Sequence, residues 1–406
     1  MGERASQQAV SSDSMDSLTR EALVARAMQL VPVLRERAYE AEGLRRVPEN
    51  NVQALKVAGL FKTIQAKRYG GYQMDLHTHL DVVSAIARGC GSTGWCLGVM
   101  QAHSWLVALF PVQAQEETYG VHPDTLIAAV LAPRGMAKKV DGGVRLSGFW
   151  PFGSGCHHAD WLILGATVQD HEGQIEDEGE FLVPVGDVKM QYDWYVAGLS
   201  GTGSCSLVGQ DVFVPAHRML SLRRAIAGDS PGAHMHDGTL YRSAIVPVLA
   251  LALTGPALGI AKAALDDFRA RLPGRVVAFT ALEVQMEMPT THLQVAEAAM
   301  KIEAAHLLLH HSADEIQRAA ERAAPMELPA RAKVRMACAY AVRQCLEAVE
   351  TLYLACGGSG VMDANPIQRA SRDLHAMNLH GFLNLHTNQE MYGRIVLGLP
   401  QNTPLI

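Results

Sequence analysis

The sequence lacks the features that mark several large classes of protein. Its 406 residues include seven cysteines, an odd number, and no two of them form a Cys-x-x-Cys pair. This pattern suggests neither a disulfide framework nor a zinc knuckle, and it favours a reducing cytoplasm. The net charge of −6 provides no general basic surface, so we expect no nucleic acid and no anionic membrane as partners.

Long apolar runs are also scarce. The N-terminus does not show the basic-then-apolar order of a signal peptide. The most apolar stretch, residues 246–261, is interrupted by Thr254, Gly255 and Pro256 and is shorter than a membrane span. We therefore expect a buried helix there.

Nucleotide-binding and repeat signatures are missing as well. Residues 198–203 contain several glycines, but they do not lie between a strand and a helix as a dinucleotide fingerprint does. No internal repeat or low-complexity tract is visible. The chain therefore offers no recognisable NAD(P)H site of its own.

What remains is the composition of an ordinary globular protein, with 49% apolar and 19% charged residues, in four zones. Residues 1–16 are rich in Ser, Gln and Asp and predict a flexible tail. Helical periodicity in residues 17–124 predicts an N-terminal helical domain, and strand-like alternation in residues 125–235 predicts a middle β domain. Long helices in residues 236–406 predict a C-terminal helical bundle.

Local patterns predict individual elements within these zones. The segment Val-Asp-Gly-Gly-Val at residues 140–144 indicates a β-hairpin around a glycine turn, and residues 211–215 indicate a strand closed by a proline. One apolar stripe in the C-terminal zone recurs at helical spacing and predicts a bundle helix, with the members Val295, Ala299, Ile302, His306 and Leu309.

The α–β–α order resembles the acyl-CoA dehydrogenase superfamily, and local motifs make the likeness specific. It runs from about residue 20 to the end of the chain. Its motifs are ARGCGSTGW at residues 87–95, DGGVRLSGFWPFGSGCHHADWLILG at residues 141–165, GLSGTGS at residues 198–204 and GGSG at residues 357–360. The resemblance implies a mainly α fold: an N-terminal α domain, a middle β-barrel or sandwich, and a C-terminal four-helix bundle.

Two segments point to one branch of that superfamily. WPFGSGCHHADW at residues 150–161 and RDLHAMNLH at residues 372–380 resemble flavin-dependent monooxygenases that act on hydroxyphenylacetate and on phenolic steroid-ring fragments. A dehydrogenase commonly carries its carboxylate base shortly after the Arg-Asp pair. Here that place is taken by Gly381, and a glycine cannot abstract a proton.

The resemblance implies the oxygenase component of a two-component monooxygenase. Such a protein takes reduced flavin from a separate reductase and uses O2, through a C4a-hydroperoxyflavin, to hydroxylate a small aromatic substrate. Three alternatives stay open: N- or S-oxygenation by the same intermediate, an acyl-CoA dehydrogenase with a relocated base, and a descendant that keeps the fold as a binding module.

The resemblance also assigns catalytic roles near the flavin. Ser154 matches a serine that hydrogen-bonds flavin N5, and its alternative role is that of an ordinary turn serine. His380 matches a histidine that assists formation of the hydroperoxide. The neighbouring His375 and His386 leave a shifted alignment open.

His103 matches a histidine that faces the substrate and accepts or orients a phenolic proton. A histidine on an otherwise apolar helix is also often a core residue. Some phenol hydroxylases of this branch add a serine from the strand before the hairpin. Residues 127–132 carry no hydroxyl here, which argues against a simple phenol.

Flavin contacts follow from the same comparison. Trp150 and Phe152 flank the isoalloxazine or else fill the β core. Arg275 resembles an arginine that meets the flavin phosphate of a neighbouring subunit, and Gly357 and Gly358 permit close approach of the backbone. A site shared in this way implies an oligomer, and the family suggests a homotetramer. We expect reduced FMN because no adenine-binding feature stands out, with FADH2 as the alternative.

Two further signals predict no function. His306 and His310 have the spacing of a metal pair, but the glutamate of an HExxH motif is missing, so we predict no metal. Cys156 lies close to Ser154 but carries no mark of a nucleophile, so we expect a packed thiol.

Overall fold

A computed structural model describes residues 18–278, 284–322 and 324–406. The predicted tail at residues 1–16 lies outside the described residues. Helices and strands follow the predicted α–β–α order. The helices are α1 Arg20–Glu36, α2 Ala38–Leu44, α3 Glu49–Val57, α4 Leu76–Ala87, α5 Gly91–Val107, α6 Val112–Tyr119, α7 Leu222–Ile226, α8 Ile245–Ala252, α9 Gly255–Arg271, α10 Pro289–Glu321, α11 Leu328–Ala355, α12 Pro366–Asn378 and α13 Leu385–Val396. The strands are β1 Ile127–Val140, β2 Gly143–Gly153, β3 Trp161–Gln169, β4 Ile175–Pro184, β5 Lys189–Gln191, β6 Cys205–Pro215 and β7 Met219–Ser221.

Capping side chains set where the N-terminal helices begin. The Thr19 hydroxyl accepts a hydrogen bond from the Ala22 N–H at the start of α1, and the Asp75 carboxylate accepts one from the Thr78 N–H at the start of α4. Every residue of α5 is buried, so this helix lies in the interior of the N-terminal zone. Polar side chains on α5 therefore point into the protein and need partners there.

The β zone is one seven-stranded sheet in the order β5-β6-β2-β1-β3-β4-β7. The predicted hairpin is present: β1 and β2 pair antiparallel, Val140 faces Gly143, and Gly142 has a φ of 78°. The sheet is open within the described residues, because β5 and β7 are its edges and do not pair with each other. The middle zone is therefore a single sheet and not the expected barrel or sandwich.

The long helix α10 forms where the apolar stripe predicted it, but its buried face differs from the predicted one. Ala298, Ile302, Ala305 and Leu309 are buried, whereas Ala299 and His306 are only half-buried. Over part of the stripe, the buried face is shifted by one residue from the predicted face. Both faces contain small alanines, and these alanines decide how closely a neighbouring helix can approach.

The two helical zones share one hydrophobic core. Buried residues of α1, α4 and α5 pack with those of α8, α9, α10 and α11 in one continuous cluster, which also includes one face of the sheet. The other face of the sheet has a smaller core around Trp150. The boundaries at residues 124 and 235 stay predictions, since one core spans the helical zones.

The apolar stretch at residues 246–261 lies in α8 and α9. Together these helices form one segment, Ile245–Arg271, that has the length and composition of a membrane span. However, 89% of its most apolar window is buried inside the protein. That packing is typical of a core helix, as the interruptions at Thr254 to Pro256 predicted.

Candidate functional site

A chain of hydroxyl groups joins the end of β2 to the start of β6. The Ser154 Oγ lies 2.7 Å from the Ser204 Oγ, which lies 2.7 Å from the Thr202 Oγ1. Thr202 donates to the Leu199 carbonyl at 2.8 Å. From α5, the Trp95 Nε1–H donates to the Ser154 Oγ at 3.0 Å. Ser204 and Thr202 are buried and Ser154 is half-buried, so Ser154 is the end of the chain that a ligand can reach.

Counting protons fixes the direction of this chain. A hydroxyl has one hydrogen to donate, whereas a carbonyl can only accept. Thr202 uses its hydrogen on the Leu199 carbonyl, so Ser204 must donate to Thr202, and Ser154 must then donate to Ser204. With the Trp95 N–H also directed at it, the Ser154 oxygen keeps a lone pair and no hydrogen for a ligand. Ser154 therefore presents an acceptor.

His380 lies beside this group, on the connection between α12 and α13. Its ring contacts Trp95 edge-on, with ring centroids 5.7 Å apart. The Phe382 N–H donates to the His380 Nδ1 at 3.2 Å, so in the neutral ring the hydrogen is on Nε2. Among the residues that the structure describes, none hydrogen-bonds that Nε2. His380 therefore offers a donor and contacts Trp95, the indole that donates to Ser154.

Protein atoms crowd the His380 ring although the residue has exposed surface. Desolvation, together with a smaller effect of the Arg335 charge, lowers the pKa of His380 to about 4. Exposure and desolvation coexist when a ring lines a recess, because water reaches one side only. Because the pKa of His380 is lowered, its ring is neutral at pH 7.

The other two candidate histidines do not contact Trp95. His375 pairs with Glu350 at 3.0 Å through Nε2, and its Nδ1 donates to the Ser371 carbonyl at 2.9 Å. His386 is exposed on α13. Of the three histidines left open by the sequence, the structure brings His380 to Trp95, whose indole N–H donates to Ser154.

His103 lies two turns further along α5 than Trp95, about 12 Å along the helix axis. Its Nδ1–H donates to the Ile127 carbonyl at 3.0 Å, so the neutral ring carries its lone pair on Nε2. Burial lowers the pKa of His103 to about 4, so the ring is neutral at pH 7. In the described part of the chain, no group hydrogen-bonds Nε2. His103 is a neutral base with an open acceptor.

The two aromatic candidates on β2 differ completely. Trp150 is fully buried in the sheet core, and its Nε1–H donates to the Gly165 carbonyl at 2.7 Å. It fills the β core, which was the second of its two predicted roles, because the pleat of β2 points it away from the helices. Phe152 is 66% exposed, packs edge-on against Trp194, and has a φ of 71°. A bulky residue in that region is strained, and the Phe152 ring lies exposed beside the Ser154 turn.

Arg275 and the glycine pair form a second group. The Arg275 guanidinium donates to the Cys356 carbonyl, and to the Ser359 Oγ at 3.1 Å. Gly357 lies next to it with a φ of 56°, and both Gly357 and Gly358 are exposed. The structure thus brings these three predicted residues together. Within the described residues, no hydrogen bond or ring contact joins them to Ser154.

An Arg-Asp pair on α12 holds the hydroxyl chain in place. The buried Asp373 carboxylate accepts from the Leu199 N–H at 2.6 Å, and Arg372 donates to the Ala197 carbonyl at 2.7 Å. Burial raises the pKa of Asp373 to about 6, which the Leu199 hydrogen bond opposes. Because Leu199 also accepts from Thr202, α12 positions the inner end of the chain.

Sequence reasoning missed the groups that support the predicted residues. Trp95, Thr202 and Ser204 lie within motifs that carried the resemblance, but none was assigned a role. The run Ser-Gly-Thr-Gly-Ser at residues 200–204 is a signal that could have been used, since three hydroxyls in one turn need partners when buried.

Two clusters of metal-ligating side chains also occur in the described residues. One joins Cys156, His157 and Cys205, and the other joins Asp81, His306 and His310; in each, the ligand atoms lie within 4.8 Å of one another. The absence of a metal stays a prediction. Cys156 is buried, as expected, but it is not an isolated thiol.

Two family models match the chain. The acyl-CoA dehydrogenase N-terminal domain matches residues 19–121, and the acyl-CoA dehydrogenase C-terminal domain matches residues 251–385. These are the two helical zones that share a core.

Characterised relatives cover nearly the whole chain. The flavin-dependent monooxygenase oxygenase subunit HsaA of Rhodococcus jostii (strain RHA1) is 36% identical over 373 residues, which are 91% of this chain and 97% of that protein. The oxygenase component of the FADH2-dependent resorcinol hydroxylase of Rhizobium sp. (strain MTP-10005) is 34% identical, over 93% of this chain and 94% of that protein. The structure of XiaF from Streptomyces sp. in complex with FADH2 and glycerol superposes with a TM-score of 0.89 at 30% identity, covering 95% of this chain and 97% of that one.

Proposed function

The chain belongs to the acyl-CoA dehydrogenase family, among the oxygenase components of flavin-dependent monooxygenases, and from that premise we propose that it hydroxylates an aromatic substrate that carries an acidic hydroxyl group. The oxidant is O2. The reduced flavin is supplied by a separate reductase, as the names of two-component relatives imply.

The observation that carries the proposal is the direction of the hydroxyl chain. Nitrogen N5 of a reduced flavin bears a hydrogen, whereas N5 of an oxidised flavin bears only a lone pair. Ser154 presents an acceptor and so is complementary to the reduced form alone. The residues present therefore fit a reduced flavin: Ser154 would face N5, Phe152 would lie against the ring system, and Arg275 with Gly357 from a neighbouring subunit would hold a phosphate.

When bound, reduced flavin supplies the electrons that activate O2. The chain supplies the groups around it. Ser154 would accept a hydrogen bond from the N5–H and so keep that hydrogen on the nitrogen, and the Nε2–H of His380 would stabilise negative charge that develops on oxygen. Both act without a change of charge because the ring of His380 is neutral at pH 7.

His103 is proposed to act on the substrate. A phenolic hydroxyl that meets the open Nε2 loses its proton to the ring as the aromatic carbon is attacked, which makes that carbon more electron-rich. The backbone carbonyl of Ile127 keeps the ring in the correct tautomer for this task. The start of β1, Ile127-Ala128-Ala129, adds no hydroxyl, so His103 would be the main polar contact there.

We propose FADH2 as the flavin in preference to reduced FMN. Two relatives that are at least 30% identical carry FADH2 in their descriptions. A neighbour solved with FMN is 22% identical and speaks only for the fold. Arg275 and the exposed glycines are proposed to serve the flavin of a neighbouring subunit, which requires an oligomer such as a homotetramer. We place the protein in the cytoplasm because all seven described cysteines are free.

The test is rapid mixing of the full-length protein and reduced FAD, prepared without oxygen, with oxygenated buffer. We expect a transient near-ultraviolet absorbance that persists before oxidised flavin appears. Ser154→Ala should shorten its lifetime by about 10-fold or more, since one hydrogen bond to the flavin is lost. Ser147→Ala, which removes an exposed hydroxyl of β2 that accepts from the Asp211 N–H and does not belong to the hydroxyl chain, is the control. Reoxidation at the rate of free flavin in the wild-type protein would refute the proposal.

A further inference from the structure

Two thiols and an imidazole lie directly behind the hydroxyl chain. Cys156 follows Ser154 by two residues, and Cys205 follows Ser204. The sulfurs of both cysteines and a ring nitrogen of His157 lie within 4.8 Å of one another. Cys205 Sγ is 3.4 Å from His157 Nε2, and the Cys156 thiol donates to the Gly203 carbonyl at 3.4 Å. We call this group the thiol cluster.

The two thiols have different chemical characters. The Cys156 sulfur lies within 4.8 Å of the Cys205 sulfur, and His157 Nε2 lies 3.4 Å from it; both neighbours lower the pKa of Cys205. The same contact with Cys205, together with burial, raises the pKa of Cys156. A thiolate is the reactive form of cysteine and a neighbouring thiol can then close a disulfide. The cluster therefore contains a nucleophile and a resolving partner.

The other five cysteines provide a comparison, within the same protein, for Cys156 and Cys205. All seven cysteines are buried, and burial raises the pKa of Cys90, Cys96, Cys338 and Cys345. No contact with a histidine is found for these thiols in the part of the chain that the structure describes. Reactivity should consequently concentrate on Cys205.

We propose that Cys205 and Cys156 form a peroxide-oxidisable dithiol. The Cys205 thiolate attacks one oxygen of hydrogen peroxide, the O–O bond breaks, and sulfenic acid and hydroxide are formed. The Cys156 thiol then attacks the sulfenic sulfur, its proton leaves with the departing hydroxyl as water, and a disulfide results. Two thiols and one peroxide thus give one disulfide and two waters.

The position of the thiol cluster connects oxidation to the flavin site. The Gly203 carbonyl accepts from both the Cys205 N–H, at 2.7 Å, and the Cys156 thiol, and the Gly155 N–H donates to the Thr202 carbonyl at 3.0 Å. A disulfide needs its sulfurs about 2.05 Å apart. Drawing them together shifts the backbone beside Ser204 and Ser154, so the oxidised protein binds reduced flavin less well. This consequence rests on the proposed function, whereas the oxidation chemistry does not.

The experiment treats the full-length protein, freed of metal with a chelator, with one equivalent of hydrogen peroxide. Remaining thiols are alkylated and peptides are mapped by mass spectrometry. We expect a peptide linked between Cys156 and Cys205, formed about 10-fold faster than any other thiol is lost. Cys156→Ser should instead accumulate a sulfenic acid at Cys205 that dimedone traps, and Cys205→Ser should leave Cys156 reduced. Both variants are checked for folding by thermal unfolding.

Three results would overturn the proposal: both thiols stay alkylatable, another cysteine reacts first, or the purified protein holds a stoichiometric soft metal that must be removed before Cys205 reacts. The last result would assign a metal site, to which the Met190 thioether, 3.7 Å from Cys156 Sγ, would contribute. Reduced-FAD affinity before and after oxidation, and again after reduction with a dithiol, is then measured. A disulfide that forms without changing this affinity would leave the oxidation standing and remove its link to the flavin site.

Discussion

The two ends of α5 lie beside two histidines whose free ring nitrogens have opposite hydrogen-bonding roles. His380, beside Trp95, and His103, two turns further on, both have pKa values that desolvation lowers to about 4. A backbone N–H fixes the tautomer of His380, whereas a backbone carbonyl fixes that of His103. The first therefore offers a donor at Nε2 and the second an acceptor. One residue type thus gives opposite chemistry, because the partner of Nδ1 decides it.

The largest expected effect is at His103, which offers the acceptor. His103→Ala should lower kcat by about a thousand-fold for a phenol with an ordinary pKa, since a general base is lost. The loss should shrink for phenols that are already ionised at the assay pH, because they need no base. Steady-state product formation across a series of substituted phenols measures this. An equal loss for every phenol would mean that His103 only packs.

At the donor end, His380→Ala should slow the reaction of the reduced protein–flavin complex with O2 by about a hundred-fold, which is the effect of removing one donor from developing negative charge. Stopped-flow absorbance at several O2 concentrations gives the rate. His386→Ala, on exposed surface six residues away, serves as the control. If both variants reacted at the wild-type rate, the donor would have no part in the oxygen step.

The direction of the hydroxyl chain can be reversed. In Thr202→Val, Ser204 is free to donate to Ser154, and the Ser154 hydrogen then faces the ligand. We expect the preference for reduced over oxidised FAD to fall by about 10-fold, the free energy of one hydrogen bond. Thr202→Ser keeps the hydroxyl and should keep the preference.

Anaerobic and aerobic binding titrations give the two affinities for each variant. The ratio of the affinities for reduced and oxidised FAD could change in Ser154→Ala and stay unchanged in Thr202→Val. That result would support Ser154 at the flavin and contradict the role of Thr202.

The smallest effect concerns stability. The pKa of His103 is about 4 in the folded protein and near 6.5 when unfolded. Between these values the unfolded chain binds more protons, so the stability present above pH 6.5 falls as the pH drops. The contribution of His103 is at most about 1.4 kcal/mol per pH unit.

Thermal unfolding between about pH 7 and about pH 5 compares the wild-type protein with His103→Gln, which cannot titrate. We expect the stability of the variant to fall less steeply as the pH drops. His79, which is buried and also has a lowered pKa, contributes equally to both proteins. If the stability of the wild-type protein and that of His103→Gln fell in parallel as the pH dropped, His103 would not be held neutral in the folded protein.

Where the sequence succeeded, local rules were sufficient. The glycine turn at residues 141–142 predicted the β1–β2 hairpin because few other residues accept that backbone, and the interruptions at residues 254–256 predicted buried helices in place of a membrane span. The register of α10 was partly wrong because alanines pack on either side of a stripe. Whether Trp150 faces the core or a ligand depended on the pleat of β2 in the sheet.

The sequence by itself determined the order of the zones, the resemblance and the candidates Ser154, His103 and His380, because motif and periodicity are local properties. Only the tertiary structure decided which tautomer each histidine adopts, that Ser154 accepts instead of donating, and that Cys156 meets Cys205. Except for the tautomer of His380, which the nearby Phe382 N–H sets, each of these depends on a neighbour supplied from a distant segment. The Trp95 indole lies 59 residues from Ser154, and Cys205 lies 49 from Cys156. No local pattern encodes such pairs, because the first exists only once the sheet packs on α5 and the second only once β2 pairs with β6.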